Sequence, residues 1–173
     1  MALQKIAAFS DGTQGGNPAG VWIGDALPSP ADMQRIAAEV GFSETAFAAP
    51  LGDGRWRVRY FAPESEVPFC GHATIALGAA LAQREGDGVF ALSLSQAEIT
   101  VEGRRAGDLV QAALQSPPTR SGPVPAGLLA DALALFGLSA VDLDPRIPPA
   151  LIHGGADHLV LALRSREALA AMH

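Results

Sequence analysis

The sequence predicts an α+β fold in which a mostly antiparallel sheet wraps one central helix. Three observations predict it. The stretch from Ala73 to Ala82 reads Ala-Thr-Ile-Ala-Leu-Gly-Ala-Ala-Leu-Ala and has no polar face. A helix that is apolar all round, yet too short for a bilayer, is buried on every side. Before it, Arg55 to Phe61 alternates apolar and polar residues with a period of two, and Gly-Asp-Gly at 52–54 and again at 86–88 supplies turns between strand-like segments. That pattern marks half-buried strands joined by tight turns. Finally, 49% of the 173 residues are hydrophobic and only 17% are charged, so a sizeable core is available to join these parts.

The elements follow in order. Gln4 to Phe9 reads as a first strand. Asp11 to Gly20 holds four glycines and Asn17-Pro18, which predicts a loop, and Val21-Trp22-Ile23 a second short strand. Ser29 caps a helix that Pro30 opens and Gly41 stops, with Met33, Ile36, Ala37 and Val40 forming one buried stripe. Glu44 to Ala49 and Arg55 to Phe61 form a hairpin; Trp56, Val58 and Tyr60 face inward while Arg55, Arg57 and Arg59 cover the outer face. After an irregular segment held by Pro63 and Pro68 comes the buried helix, from His72 to about Gln83. Val89 to Leu94, Glu98 to Glu102 and Leu109 to Gln115 then make a three-stranded meander. These elements form a lobe over residues 1–116, followed by a proline- and glycine-rich linker at 117–125. Residues 126–173 read as part of a second lobe: a helix at Ala126–Phe136, strands at Leu151–His153 and His158–Leu163, and a last helix capped by Ser165 and still running at His173. So short a second lobe has little core of its own, and a fragment of a longer chain is the expectation.

Charge and cysteine count remove several function classes. Twelve basic against eighteen acidic residues give a formal charge of −6, with no basic run, so no nucleic-acid partner is expected. One cysteine excludes an intramolecular disulfide and a cysteine-rich zinc site. The N-terminus lacks the apolar core of a signal peptide, and no apolar run is long enough to cross a membrane. A soluble cytoplasmic protein is expected. Asp11-Gly12-Thr13-Gln14-Gly15-Gly16 lacks the Lys-Ser/Thr of a phosphate loop, and the five-residue spacing of His153 and His158 reads as structural.

Three residues stand out chemically. Glu44 is a lone carboxylate between a helix and a strand, with apolar neighbours on both sides. Partial burial favours the protonated form of a carboxylate, which suits a group that must both take and give a proton. The plain alternative is an exposed glutamate at a strand start. His72 stands at the mouth of the buried helix, where unpaired N–H groups and the helix dipole favour an anion. A substrate carboxylate docks there against His72 and the Gly71 and Ala73 amides, with Gly71 permitting close approach; otherwise His72 is a helix cap. Cys70 precedes the same helix start, which lowers a thiol's pKa and makes it an alternative acid/base; a buried inert cysteine is the other reading.

Gly16-Asn17-Pro18-Ala19-Gly20-Val21, Gly41-Phe42-Ser43-Glu44-Thr45-Ala46-Phe47, and Tyr60-Phe61-Ala62-Pro63 through Glu66-Val67-Pro68-Phe69-Cys70-Gly71-His72-Ala73-Thr74 change the weights. In order and spacing they resemble the signature of the PhzF-like family of phenazine biosynthesis. The resemblance implies a diaminopimelate epimerase-like fold: two pseudo-symmetric lobes, each a mixed, mostly antiparallel sheet round a central helix, with the active site in the cleft between them. It implies Glu44 as the group that shuttles a proton between two carbons of a small anionic substrate, and Ser43, Gly71, His72 and Ala73 as substrate contacts. It implies no metal, flavin or pyridoxal, and often a homodimer. The family's second lobe also carries an Asp-Pro-x-Thr-Gly-Ser-type motif that no segment here matches. Two rival readings remain beside this isomerase: an epimerase or racemase relative using Cys70 as base, and an inactive lobe that only binds.

Overall fold

The computed structural model describes residues 2–12 and 14–172. The chain divides into two compact units, Met1–Pro117 and Pro118–His173.

The first unit is a single eight-stranded sheet around one helix. Strands β1 (Ala2–Ser10) and β2 (Gly15–Ile23) form an antiparallel hairpin. Helix α1 (Pro30–Val40) leads to β3 (Thr45–Pro50), parallel to β2, and then to antiparallel β4 (Arg55–Phe61) and the two-residue β5 (Glu66–Val67). Helix α2 (Gly71–Glu85) precedes the meander β6 (Gly88–Ser93), β7 (Glu98–Ala106) and β8 (Leu109–Gln115). Because β6 joins β4 in parallel, the strand order is β1-β2-β3-β4-β6-β7-β8, with β5 beside β4. The expected wrapped architecture is therefore present. Helix α2 touches β1, β2 and β3 on one flank of the sheet path and β6, β7 and β8 on the other.

The composition of α2 explains this packing. Ala73, Ala76, Leu77, Ala80, Leu81 and Ala82 are all completely buried. All of these but Ala82 meet Val21, Ile23, Val58, Tyr60, Leu92 and Val101 of the sheet in one core cluster. Gly78 and Gly103 face each other where α2 crosses β7: a Cβ on Gly103 would strike the Gly78 carbonyl oxygen and come within 2.8 Å of the Ala82 Cβ. The opposite sheet face carries a second cluster, in which Trp22, Phe47 and Phe61 pack under Met33 and Ala37 of α1. This is why β3 is buried on both faces and shows no alternation.

Helix α1 follows its expected signals. The Ser29 hydroxyl accepts from the Asp32 amide at 3.1 Å, Pro30 occupies the first turn, and Gly41 ends the helix at φ 71°. In β4 the alternation is as expected: Trp56, Val58 and Tyr60 are buried, and the arginines lie outside. There Arg59 stacks over Phe61, 5.2 Å from its ring centroid, and pairs with Glu66 at 2.5 Å, which fastens β5 to the sheet.

Two expectations need correction. The glycine-rich segment is loop only as far as Gln14; from Gly15 it is β2, with Asn17 opposite Ala8 and Pro18 opposite Ala7. Pairing with β3 begins at Gly20, so Pro18 has no partner strand on its other side and its missing N–H costs no sheet hydrogen bond there. Likewise, the 117–125 stretch is not linker throughout, because Arg120–Pro123 is a strand, β9.

The second unit is built on that strand. Its sheet has the order β11-β10-β9, both pairings antiparallel, with β10 at Ala150–His153 and β11 at Asp157–Val160. Helix α3 (Ala126–Leu135) ends near Gly137, and a 3₁₀ turn at Ala140–Asp142 carries a capping box made with Ser139. Leu133 and Leu143 are its buried large apolar side chains among the described residues, while Leu128, Leu135, Val141, Ile147 and Leu169 stand exposed. Ser165 caps α4 (Arg166–Ala170) as expected, its hydroxyl accepting from Ala168 N at 3.1 Å. The Ala171 amide donates to the Glu167 and Leu169 carbonyls at the end of α4. His173 lies outside the described residues. Among the described residues no helix is long and apolar enough to cross a membrane.

Candidate active site

The fold brings the motif residues of the first unit to one place. Gly41 turns the chain out of α1, and Phe42-Ser43-Glu44 lead into β3. The Glu44 backbone is fixed from the neighbouring strand, where the Gly20 amide donates to the Glu44 carbonyl at 3.2 Å. Gly20 cannot be larger, since a Cβ there would lie 2.5 Å from Thr45 Oγ1. The first motif thus acts by docking the backbone of the second. Reading Asp11 to Gly20 as a loop misses this role.

Opposite Glu44 stands the amino end of α2. Cys70 is its N-cap in extended conformation, so His72 is in the first turn and is not the cap. Instead its ring faces the β3 approach. His72 Nε2 lies 3.5 Å from Glu44 Oε2 and 3.4 Å from Ser43 Oγ, while Nδ1 lies 3.3 Å from Cys70 Sγ. The His72 side chain is 11% exposed and that of Glu44 23%, so both are partly withdrawn from water yet reachable. A Cβ on Gly71 would meet nothing within 4 Å. Its lack of a side chain therefore leaves open space in front of the backbone, where a ligand can approach the first-turn amides. Ala73 is different: its side chain is wholly in the core, and its amide points to the Cys70 sulfur.

The Cys70 environment opposes a thiolate. Burial pushes its pKa up to about 12; the Ala73 amide pulls the other way, but the adjacent Glu44 carboxylate adds to the rise, and the His72 amide offsets only part. The helix start that was expected to lower this pKa is outweighed by desolvation and a like charge.

Tyr60 and Thr74 complete the arrangement from behind. The Thr74 hydroxyl donates to the Cys70 carbonyl at 2.7 Å, and the Tyr60 hydroxyl lies 2.7 Å from Thr74 Oγ1. With Thr74 donating inward, Tyr60 donates to Thr74, and both are fully buried. This pair pins the carbonyl that begins α2. Sequence reasoning missed it, although Thr74 at i+4 from Cys70 is the spacing at which a threonine hydroxyl bonds back to a helix carbonyl. His153 and His158 lie in the second unit; His153 Nδ1 is 2.7 Å from Asp157 Oδ1, within a strand turn.

A buried helix inside a wrapped, mostly antiparallel mixed sheet is the epimerase-like class of fold. This fold alone is shared with a probable proline racemase from Agrobacterium radiobacter, at 13% identity and a TM-score of 0.61 over 92% of this chain and 51% of that one. The chain belongs to the phenazine biosynthesis-like (PhzC-PhzF) protein family, whose model matches residues 6–173. A trans-2,3-dihydro-3-hydroxyanthranilate isomerase from Pseudomonas fluorescens is 34% identical over 172 residues, covering 97% of this chain and 59% of the relative. The solved structure of a protein described as a predicted epimerase from Pseudomonas aeruginosa superposes with a TM-score of 0.87 at 28% identity, covering 98% of this chain and 61% of that one. The chain thus spans about three fifths of the length of these two relatives.

Proposed function

We propose that this chain supplies the acid/base half of an isomerase that moves a proton between two carbons of a small anionic substrate. The observation that carries the reading is the 3.5 Å approach of the Glu44 carboxylate to His72 at the open amino end of α2. The Gly71 amide at the open start of the helix holds a substrate carboxylate, where the helix dipole and His72 favour negative charge. Ser43 orients His72. Glu44 then abstracts a proton from one carbon and returns it to another. The name of the Pseudomonas fluorescens relative makes a dihydro-hydroxyanthranilate the first substrate class to test.

Hydrogen exchange tests the assignment. In deuterated water, with trans-2,3-dihydro-3-hydroxyanthranilate and related cyclic amino and hydroxy acids, deuterium enters the substrate carbon and is read by NMR. Glu44→Gln lowers the rate by about a hundredfold or more, the usual contribution of a positioned acid/base. Undiminished exchange by a folded Glu44→Gln protein refutes the role of Glu44. The Cys70-based reading predicts the reverse, with Cys70→Ser inactive and Glu44→Gln active; the raised Cys70 pKa speaks against it.

A further inference from the structure

Glu44, Cys70 and His72 each offer one donor atom, and these atoms all lie within 4.8 Å of one another. They come from two elements, the approach to β3 and the amino end of α2, so the cluster is not a local accident of one helix turn. Carboxylate oxygen, sulfur and imidazole nitrogen are the three donor types that zinc prefers, and three protein ligands plus water make an open tetrahedral site. Zinc–ligand bonds of about 2.0–2.3 Å place neighbouring donors roughly 3.3–3.8 Å apart. One imidazole nitrogen serves the ion: with Nδ1 as that donor the 3.3 Å Sγ to Nδ1 separation is already at this scale, and the Glu44 carboxylate oxygen, within 4.8 Å of the other donors, closes onto the ion by side-chain rotation. Cys70 is 8% exposed and is held by the helix start, while Glu44 and His72 face the opening, which gives an ion a way in.

We infer that Glu44, Cys70 and His72 form a site for a soft divalent cation of the zinc class, whose binding shuts the acid/base centre off. The bookkeeping of the step closes. The aquo-dication loses waters, the Cys70 thiol, which stays protonated in the metal-free site, gives its proton to solvent only as the dication takes the proton's place on sulfur, and sulfur, neutral imidazole and carboxylate each form one bond to the metal. Two negative ligands cancel the dication, so the loaded site is neutral and does not oppose the positive end of α2. With its lone pair on the metal, the Glu44 oxygen no longer takes a proton from carbon. The inhibitory part rests on the function proposed above; the binding part does not. Magnesium, which prefers water and oxygen ligands, is excluded by the same donor set.

Cobalt(II) absorption tests the inference on the chain as it stands, without air and with a phosphine reductant. The chain has one cysteine, so a thiolate-to-cobalt charge-transfer band reports Cys70 alone. A band that saturates at one cobalt per chain and is displaced by zinc but not by magnesium is expected. Cys70→Ser abolishes it, and His72→Asn and Glu44→Gln each weaken cobalt binding by about tenfold or more, with circular dichroism confirming that each variant is folded. No band at millimolar cobalt, or a band equally tight in His72→Asn, overturns the site. Cobalt taken up without the band means binding elsewhere and also overturns it. The two readings separate cleanly. If Glu44→Gln loses exchange but no band forms, the acid/base function stands and the metal site falls; if the band forms while Glu44→Gln keeps exchange, the reverse holds.

Discussion

Replacing Gly103 by alanine tests how the fold places the site. Glycine costs a strand about 0.5–1 kcal/mol relative to alanine, so in an open position Gly→Ala is neutral or stabilising. At Gly103 the new methyl meets the Gly78 carbonyl oxygen of α2 and stands 2.8 Å from the Ala82 Cβ. Carbon atoms in contact keep about 3.5 Å apart, so β7 and α2 must separate by roughly 0.7 Å. The obstacle is backbone and a Cβ, neither of which can swing away. Overpacking of this kind costs about 1–3 kcal/mol, and the entropic gain offsets part of it, leaving a net loss of about 1–2 kcal/mol. Trp22 and Trp56 are both buried in the sheet and report unfolding by fluorescence. With a urea m-value of about 2 kcal/mol/M, the midpoint falls by about 0.5–1 M at unchanged slope. The control is Gly88→Ala, whose methyl would lie an ordinary 3.9 Å from the nearest atom, Phe90 Cζ, and should leave the midpoint unchanged or slightly raised. The same displacement moves the amino end of α2 relative to Glu44, and misplacement on the ångström scale costs up to about a hundredfold in rate. Exchange should therefore fall further in Gly103→Ala than the folded fraction does. A Gly103→Ala protein as stable as Gly88→Ala would show that helix and strand do not approach this closely, and would refute the packing argument.

Two further outcomes follow from the same unit. The Cys70 pKa is raised on folding from about 8.5 toward about 12, so between those values the unfolded chain has lost a proton the folded chain keeps. Stability is then unaffected below about pH 8.5 and falls as pH rises above it, at up to about 1.4 kcal/mol per pH unit; buried Tyr60, also raised by desolvation, adds to the loss from about pH 10. Urea midpoints measured from pH 7 to 11 should show this slope, and Cys70→Ser should flatten its lower part; a slope unchanged in Cys70→Ser would sink the attribution. Tyr60→Phe removes the donor to Thr74 but leaves the Thr74 bond to the Cys70 carbonyl in place. It should cost about 0.5–1.5 kcal/mol in urea unfolding, and a cost near zero would mean that the pair does not hold the helix start.

What the linear sequence determined is local and periodic. The all-round apolar run from Ala73 to Ala82 fixed a buried helix, because no polar face exists to meet water. Ser29, Pro30 and Gly41 bounded α1 through the chemistry of helix ends, and the arginine alternation oriented β4. The motif spacing also pointed to Glu44 and His72. The tertiary structure decided everything that depends on neighbours remote in sequence. Residues 15–20 resemble a loop in composition, but pairing with β1 makes them strand, and the Gly20 contact with Thr45 gives their glycine its purpose. Similarly, Arg120–Pro123 becomes β9 only because β10 lies beside it. The sign of the Cys70 shift turned on packing as well. A helix start alone lowers a thiol's pKa, but burial and the approach of Glu44, 26 positions earlier in the chain, raise it further than the helix amides lower it. Propensities and caps act over a few residues and can be read along the chain; desolvation and sheet pairing are set by whatever the folded chain places alongside.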